Sequence, residues 1–346
     1  MWYINNIVCT LVLLALTLTT SAQITRLDSI VNAMPADTLL QLITYDTQLD
    51  AGHKNQSVHP DVVLTKDKQG RDIFLMVHTP YPFYQDKFEN PCLYYSYNGI
   101  NFEPMDSLTN PIVPAPTRKH NDDPDIIFDT QKQQWLIHYL ATFNPDSQNV
   151  VQLSSTDLIH WQKRDLIKYK NLTTIDPFIV SPSVSKGLKK NYVMFYVNNK
   201  GETAKNTIEY INSKSLYKWN KNKRTTVTIA GMDTAIAPWH IEVIKHTDGY
   251  YYMTLCGFRK GFNWFDEKQI PDYELLFARS TNLKDWVVSP TNINPCKNGT
   301  LKECNYIYRS STVFTNNYLL IYYSYFTTWR HCYLGVKKIP LNELRF

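Results

Sequence analysis

The chain has 346 residues, 43% of them hydrophobic, enough to build a full core in one large domain or two smaller ones. Aromatic residues make up 14%, with 24 Tyr and 8 Trp, an excess that suits strands and sugar-stacking surfaces alike. The 36 Lys and Arg exceed the 31 Asp and Glu by only five, and no basic run is long enough to track a phosphate backbone, so nucleic acid is not expected as a partner.

An apolar run from Ile7 to Leu18 is followed by Thr20-Ser21-Ala22-Gln23, which predicts a signal peptide over residues 1–22. The run is too short to span a bilayer, so the expectation is a secreted or periplasmic protein with no stable membrane span after cleavage. Cys92, Cys256, Cys296, Cys304 and Cys332 remain, and Cys296 and Cys304 flank a Lys-Asn-Gly-Thr turn that makes them the expected disulfide. No C-x-x-C pair or His cluster has zinc spacing, so no structural zinc site is expected and no residue is assigned as a metal ligand.

Residues 23–52 carry one modest amphipathic pattern and read as an N-terminal extension packed on the domain formed by residues 53–346. Beyond His53 the chain falls into five similar units. Each opens with a strand that is polar at its start: His59-Pro60-Asp61, Asp123-Pro124-Asp125, Ser181-Pro182-Ser183, His240-Ile241-Glu242 and Arg309-Ser310-Ser311. From Asp61 through Asp125, Ser183 and Glu242 to Ser311 the intervals are 64, 58, 59 and 69 residues.

A more apolar strand follows in each unit (Ile73–Val77, Trp135–Leu140, Tyr192–Val197, Tyr250–Leu255, Tyr318–Tyr323), after turn residues such as Lys68-Gln69-Gly70 and Thr247-Asp248-Gly249. Four units then close with a serine six positions before an aromatic: Ser96 and Phe102, Ser155 and Trp161, Ser213 and Trp219, Ser280 and Trp286. Five such units predict an all-β fold, a five-bladed β-propeller. The first strand of each blade lines the axis of a propeller, so Asp61, Asp125, Ser183, Glu242 and Ser311 are expected to converge on one funnel.

Three carboxylates in a polar funnel suit hydrolysis of a glycosidic bond, with one group activating water and another protonating the leaving oxygen. The chain resembles the propeller glycosidases of glycoside hydrolase family 43 and relatives in families 32, 62, 68 and 117. The likeness rests on His59-Pro60-Asp61, Asp123-Pro124-Asp125, Ile175-Asp176-Pro177, Trp239-His240-Ile241-Glu242 and the Ser-to-Trp turns, over residues 55–340. It implies an inverting glycoside hydrolase with Asp61 as base, Asp125 as pKa modulator and Glu242 as acid. Asp123 and Asp176 are alternative modulators, and His240 is an alternative acid. The family commonly shows Asp-Pro at the base and Glu-Gly-Pro at the acid, whereas here the order is Pro60-Asp61 and Val243 follows Glu242.

His59, Asp123, Ser183, Trp239, His240 and Arg309 are the expected substrate-binding residues, with Tyr81, Trp264 and Trp329 as further stacking candidates. The partner is a carbohydrate and no cofactor is required, with a structural Ca²⁺ compatible with the axis. The alternative is a carbohydrate-binding propeller without catalysis.

Overall fold

A polar start and an apolar continuation let one strand face a wet axis at one end and pack against its neighbours along the rest. In the computed structural model, which describes residues 26–42, 56–114, 120–144, 147–172, 174–200, 206–259, 272–297, 304–328 and 331–346, that strand is the innermost of every unit. The signal-peptide expectation lies outside these residues. The inner strands are Ser57–Lys66, His120–Asp129, Phe178–Lys186, Ile236–Lys245 and Tyr306–Phe314. Each is followed outward by antiparallel strands, as a meander, and the five sheets form a five-bladed propeller.

The described part of the extension closes the ring. Its Asp37–Leu39 pairs with His331–Pro340 as the outermost strand of the fifth blade, and Gln41–Leu42 runs parallel to Asn101–Phe102 at the edge of the first. Lys337 binds Asp37 at 3.3 Å and Lys338 donates to the carbonyls of Val31 and Asn32, so the N-terminal segment ties the last blade to the first.

Apolar clusters fill the gaps between blades. Leu75, Val77, Ile137 and Tyr139 join blades one and two, and Tyr196 and Met194 pack on Tyr169 and Leu140 between two and three. Phe195 meets Trp286 between three and four, and Phe277 meets Tyr323 between four and five. Phe74 and Tyr322 lie between five and one.

The Ser-to-aromatic spacing has a local cause. Ser155 Oγ accepts from Leu158 N at 2.9 Å and Ser280 Oγ from Leu283 N at 3.0 Å, while Asn98, Asp157 and Asn282 cap the next amides. The turn then drops the aromatic between sheets: Phe102 and Trp286 are buried, and Trp286 Nε1 donates to Leu283 O at 2.9 Å. In the first of these turns Gly99 has φ +71, and a Cβ there would lie 2.7 Å from the Tyr322 hydroxyl. Cys296 and Cys304 form the expected disulfide, and Cys92, Cys256 and Cys332 are free and buried. Among the described residues no helix is long and apolar enough to cross a membrane.

Candidate active site

Every inner strand carries a bulge near its start, between Val58 and Asp61, Asp122 and Asp125, Val180 and Ser183, Pro238 and His240, and Ile307 and Arg309. In the first three blades the bulged residue precedes a proline and has left-handed backbone: His59 at φ 56, Asp123 at φ 50 and Ser181 at φ 54. Such conformations cost about 1–3 kcal/mol each for a residue other than glycine and collect at functional sites. The bulges sort the polar residues into two layers along the axis.

The inner layer holds Asp61, Asp125, Ser183, Glu242 and Ser311, as the repeat register requires, and it latches each blade to the next. Asp61 Oδ2 accepts from Ile126 N, and both Asp125 oxygens lie 3.2 Å from Val184 N. Ser183 Oγ accepts from Val243 N at 2.9 Å, and Ser311 Oγ accepts from Val62 N at 2.8 Å. The hydroxyl of Thr312 donates to Glu242 Oε2, which completes the circle between blades four and five.

Ser311 Oγ also stands 2.8 Å from Glu242 Oε1 and 3.1 Å from Asp61 Oδ1. These carboxyls are therefore about one hydroxyl apart, with no space for a sugar and a water such as the roughly 6.5–9.5 Å separation of inverting glycosidases provides. Burial and then the Asp61 charge push the Glu242 carboxyl well above its usual range, and burial and then Asp125 raise Asp61 to about 6. Glu242 keeps its proton against an ionised Asp61. On the far side this layer floors a cavity of about 560 Å³ whose lining includes Phe128, Lys186, His246 and Phe314.

The outer layer holds the bulged residues His59, Asp123 and Ser181 of the first three blades, with His240 and Arg309, which directly follow the bulges of the other two. Asp123 is at its centre: Oδ2 accepts from Ser181 N at 2.8 Å, and Oδ1 accepts from Arg309 Nη1 at 2.9 Å. Two imidazole nitrogens face the same Oδ1, His240 Nε2 at 3.4 Å and His59 Nε2 at 3.6 Å. His240 Nδ1 is 2.8 Å from the Tyr308 carbonyl and must carry the proton, which leaves Nε2 with a bare lone pair aimed at a carboxylate. His59 Nδ1 meets the Thr79 hydroxyl at 3.0 Å, and its Nε2 is buried without a hydrogen-bond partner.

Burial lowers His240 to about 4 and His59 well below its usual range, so both rings are neutral near pH 7. Burial opposes ionisation of Asp123, but His59, His240 and Arg309 outweigh it and hold this carboxyl at about 2. Two neutral imidazoles and one carboxylate whose ligand atoms all lie within 4.8 Å of one another fit a divalent cation. Local zinc spacing does not mark this group because the three ligands come from three blades.

Glu89 is the other group that sequence reasoning missed. It closes the loop after the second strand of blade one, 5% exposed, with Oε1 3.6 Å from His59 Nδ1. Burial and then the Asp122 charge raise its carboxyl well above the usual range. Behind it His120 Nε2 lies 3.3 Å from Asp122; burial opposes this ring's charge, but Asp122, Glu89 and Asp86 raise it to about 10. Only the richness of residues 79–90 in aromatics and charges marked this segment in the sequence.

An aromatic wall flanks the outer layer on the side of blades four, five and one. Tyr308 lies 4.5 Å from the His240 ring, Trp239 5.6 Å from it, and Tyr81 and Tyr84 continue the wall toward Phe326. Asp176 sits apart, accepting from Lys170 N at 2.8 Å and paired with Lys221 at 2.7 Å. Trp264 and Trp329 lie outside the described residues.

No protein-family model matches the chain. An A type blood N-acetyl-α-D-galactosamine deacetylase of Flavonifractor plautii is 24% identical over 235 residues, covering 56% of this chain and 30% of that enzyme. The chain thus spans under a third of the length of that relative. The crystal structure of an N-acetylgalactosamine deacetylase from F. plautii, bound to blood group B trisaccharide, superposes with a TM-score of 0.69 at 19% identity, over 90% of this chain and 95% of that one. A thermostable family-43 glycoside hydrolase (TM-score 0.56, 14% identity, 83% and 89% covered) and an arabinanase of Bacillus subtilis (0.55, 12%, 83% and 96%) share the fold. The chain is a five-bladed propeller with structural neighbours among the family-43 glycoside hydrolases and a carbohydrate deacetylase.

Proposed function

We propose that this chain is a carbohydrate-active hydrolase that cleaves an acyl group from an N-acetylated sugar, with its reaction centre in the outer layer. The observation that carries the reading is the convergence of His59 Nε2, His240 Nε2 and Asp123 Oδ1 on one point at the head of the funnel. The neighbouring deacetylase supports it.

His59, Asp123 and His240 hold a divalent cation in this reading. Such an ion supplies Lewis acidity, polarising a carbonyl oxygen or acidifying a water. The reaction adds water to the acetyl carbon and breaks the C–N bond, so one proton must reach the departing amine while acetate forms. Glu89, a buried carboxyl that retains its proton, is the group placed to carry it. Tyr308 and Trp239 offer aromatic faces to the sugar, and the peptide carbonyl of residue 308 fixes the tautomer of His240. Secretion or periplasmic residence suits such a substrate.

The second reading is the inverting glycoside hydrolase with Asp61, Asp125 and Glu242, supported by the family-43 neighbours. We rank it lower because all three carboxyls are engaged in inter-blade latches. A panel of N-acetylated and unacetylated oligosaccharides, scored in parallel for acetate and for reducing ends, separates the two. Acetate release that a chelator stops and Mn²⁺ or Zn²⁺ restores supports the first reading. Reducing ends released with or without chelator overturn it.

A further inference from the structure

We infer that Arg309 is the standing counter-ion of Asp123, a positioning residue that pairs with this carboxylate when no cation is bound and weakens a cation's hold on it. The inference rests on the cation reading above.

Arg309 is 1% exposed and reaches from the fifth blade to the second across the axis. A buried charge is tolerated only when paired and hydrogen-bonded. Its Nη2 donates to the Pro124 carbonyl at 2.9 Å, which fixes the guanidinium plane independently of the carboxylate, and Nη1 then meets Asp123 Oδ1. The carboxylate is itself held without Arg309, because Ser181 N occupies Oδ2 and the bulge fixes the backbone. Removing the guanidinium therefore removes charge more than orientation.

Oδ1 has two lone pairs. Nη1 takes one at 2.9 Å, and the Nε2 atoms of His240 and His59 lie 3.4 and 3.6 Å from the same oxygen. A divalent cation bound there stands on the order of 5 Å from Nη1, given ordinary metal–oxygen distances near 2.1 Å. Like charges so placed in a buried site repel, so Arg309 stabilises the cation-free protein and lowers its cation affinity. The site then exchanges its ion without collapsing when empty.

The test uses the full chain and Mn²⁺ as probe, with Kd from calorimetry and Tm measured in chelator and in Mn²⁺. Arg309→Met is expected to lower the chelator Tm, tighten Mn²⁺ binding about tenfold or more, and enlarge the Mn²⁺-induced rise in Tm. Arg309→Lys, which keeps the charge, is expected to return all three toward the parent. If the Met variant does not fold, Arg309→Gln, able to donate to Oδ1 without charge, carries the same test. Weaker Mn²⁺ binding in the neutral variants overturns the inference in favour of orientation alone. An unchanged Kd with a lowered Tm overturns it in favour of a purely structural ion pair. A parent that binds no Mn²⁺ defeats the cation reading itself, a result distinct from either.

Discussion

The hydroxyl of Ser311 stands 2.8 Å from the Glu242 carboxyl, joining the fifth blade to the fourth. That one contact changes the meaning of the acidic layer, because Ser311 also accepts from Val62 N and lies 3.1 Å from Asp61. Its single proton cannot serve both carboxyls, so one of them must hold a proton, and Glu242, raised further by burial and by the Asp61 charge, is the one that does. Glu242→Gln preserves size and donors and is expected to leave turnover within about threefold of the parent. Glu242→Ala strands the Thr312 hydroxyl, while Ser311 keeps Asp61 and Val62 N, and is expected to lower stability by about 1–3 kcal/mol for the group left unsatisfied, as read by chemical denaturation.

The same layer gives a pH dependence. Asp61 and Glu242 are raised, so in the folded state they bind protons that the unfolded chain has released, and stability falls as pH rises past the unfolded values. His59 and His240 are lowered, so their contribution is fully present above the unfolded value of about 6.5 and is lost as pH falls toward the folded values, about 4 for His240. The two trends oppose each other between pH 4 and 6.5, where the parent's profile is expected to be shallow. Above pH 6.5 His120, raised to about 10, lowers Tm with rising pH in the parent and in Glu242→Gln alike, and a steeper decline is expected in the parent, where the raised Glu242 carboxyl adds its own proton. A parallel decline in both would remove the proton from Glu242.

His240→Ala and Asp123→Asn each delete one ligand atom of the outer layer. Both are expected to weaken Mn²⁺ or Zn²⁺ binding by at least about 100-fold, since even outer-shell partners are worth 10–100-fold. Calorimetric titration of the purified variants checks this, and near-parental affinity in either would break the ligand set.

Glu89→Gln keeps the side-chain volume but cannot exchange a proton. Its kcat is expected to fall about 10²–10⁴-fold, the range for a positioned acid or base, with cation affinity within a fewfold of the parent. Equal losses in both quantities would make Glu89 a partner of His59 and not a proton carrier.

The sequence showed the architecture because propeller repetition is written into spacing: the polar-headed strand every 58 to 69 residues and the Ser-to-aromatic turn are both local. The same register brought Asp61, Asp125, Ser183, Glu242 and Ser311 to one ring. It could not tell a latch from a reaction centre, because that depends on whether a carboxylate oxygen meets an amide of the next blade. His59, Asp123, His240 and Arg309 were legible as funnel residues, but their convergence on one oxygen depends on bulges that turn each strand start inward. Glu89 left only the aromatic and charged richness of its loop, since it sits in a connection whose path the repeat does not fix.

The measurement that tests the central claim most directly is acetate release from an N-acetylated oligosaccharide panel by the Mn²⁺-loaded parent, His240→Ala and Glu242→Gln. Acetate is expected from the parent and from Glu242→Gln, and none from His240→Ala. Reducing ends from the parent and from His240→Ala, lost in Glu242→Gln and indifferent to chelation, would contradict it and return the chemistry to the inner carboxyls.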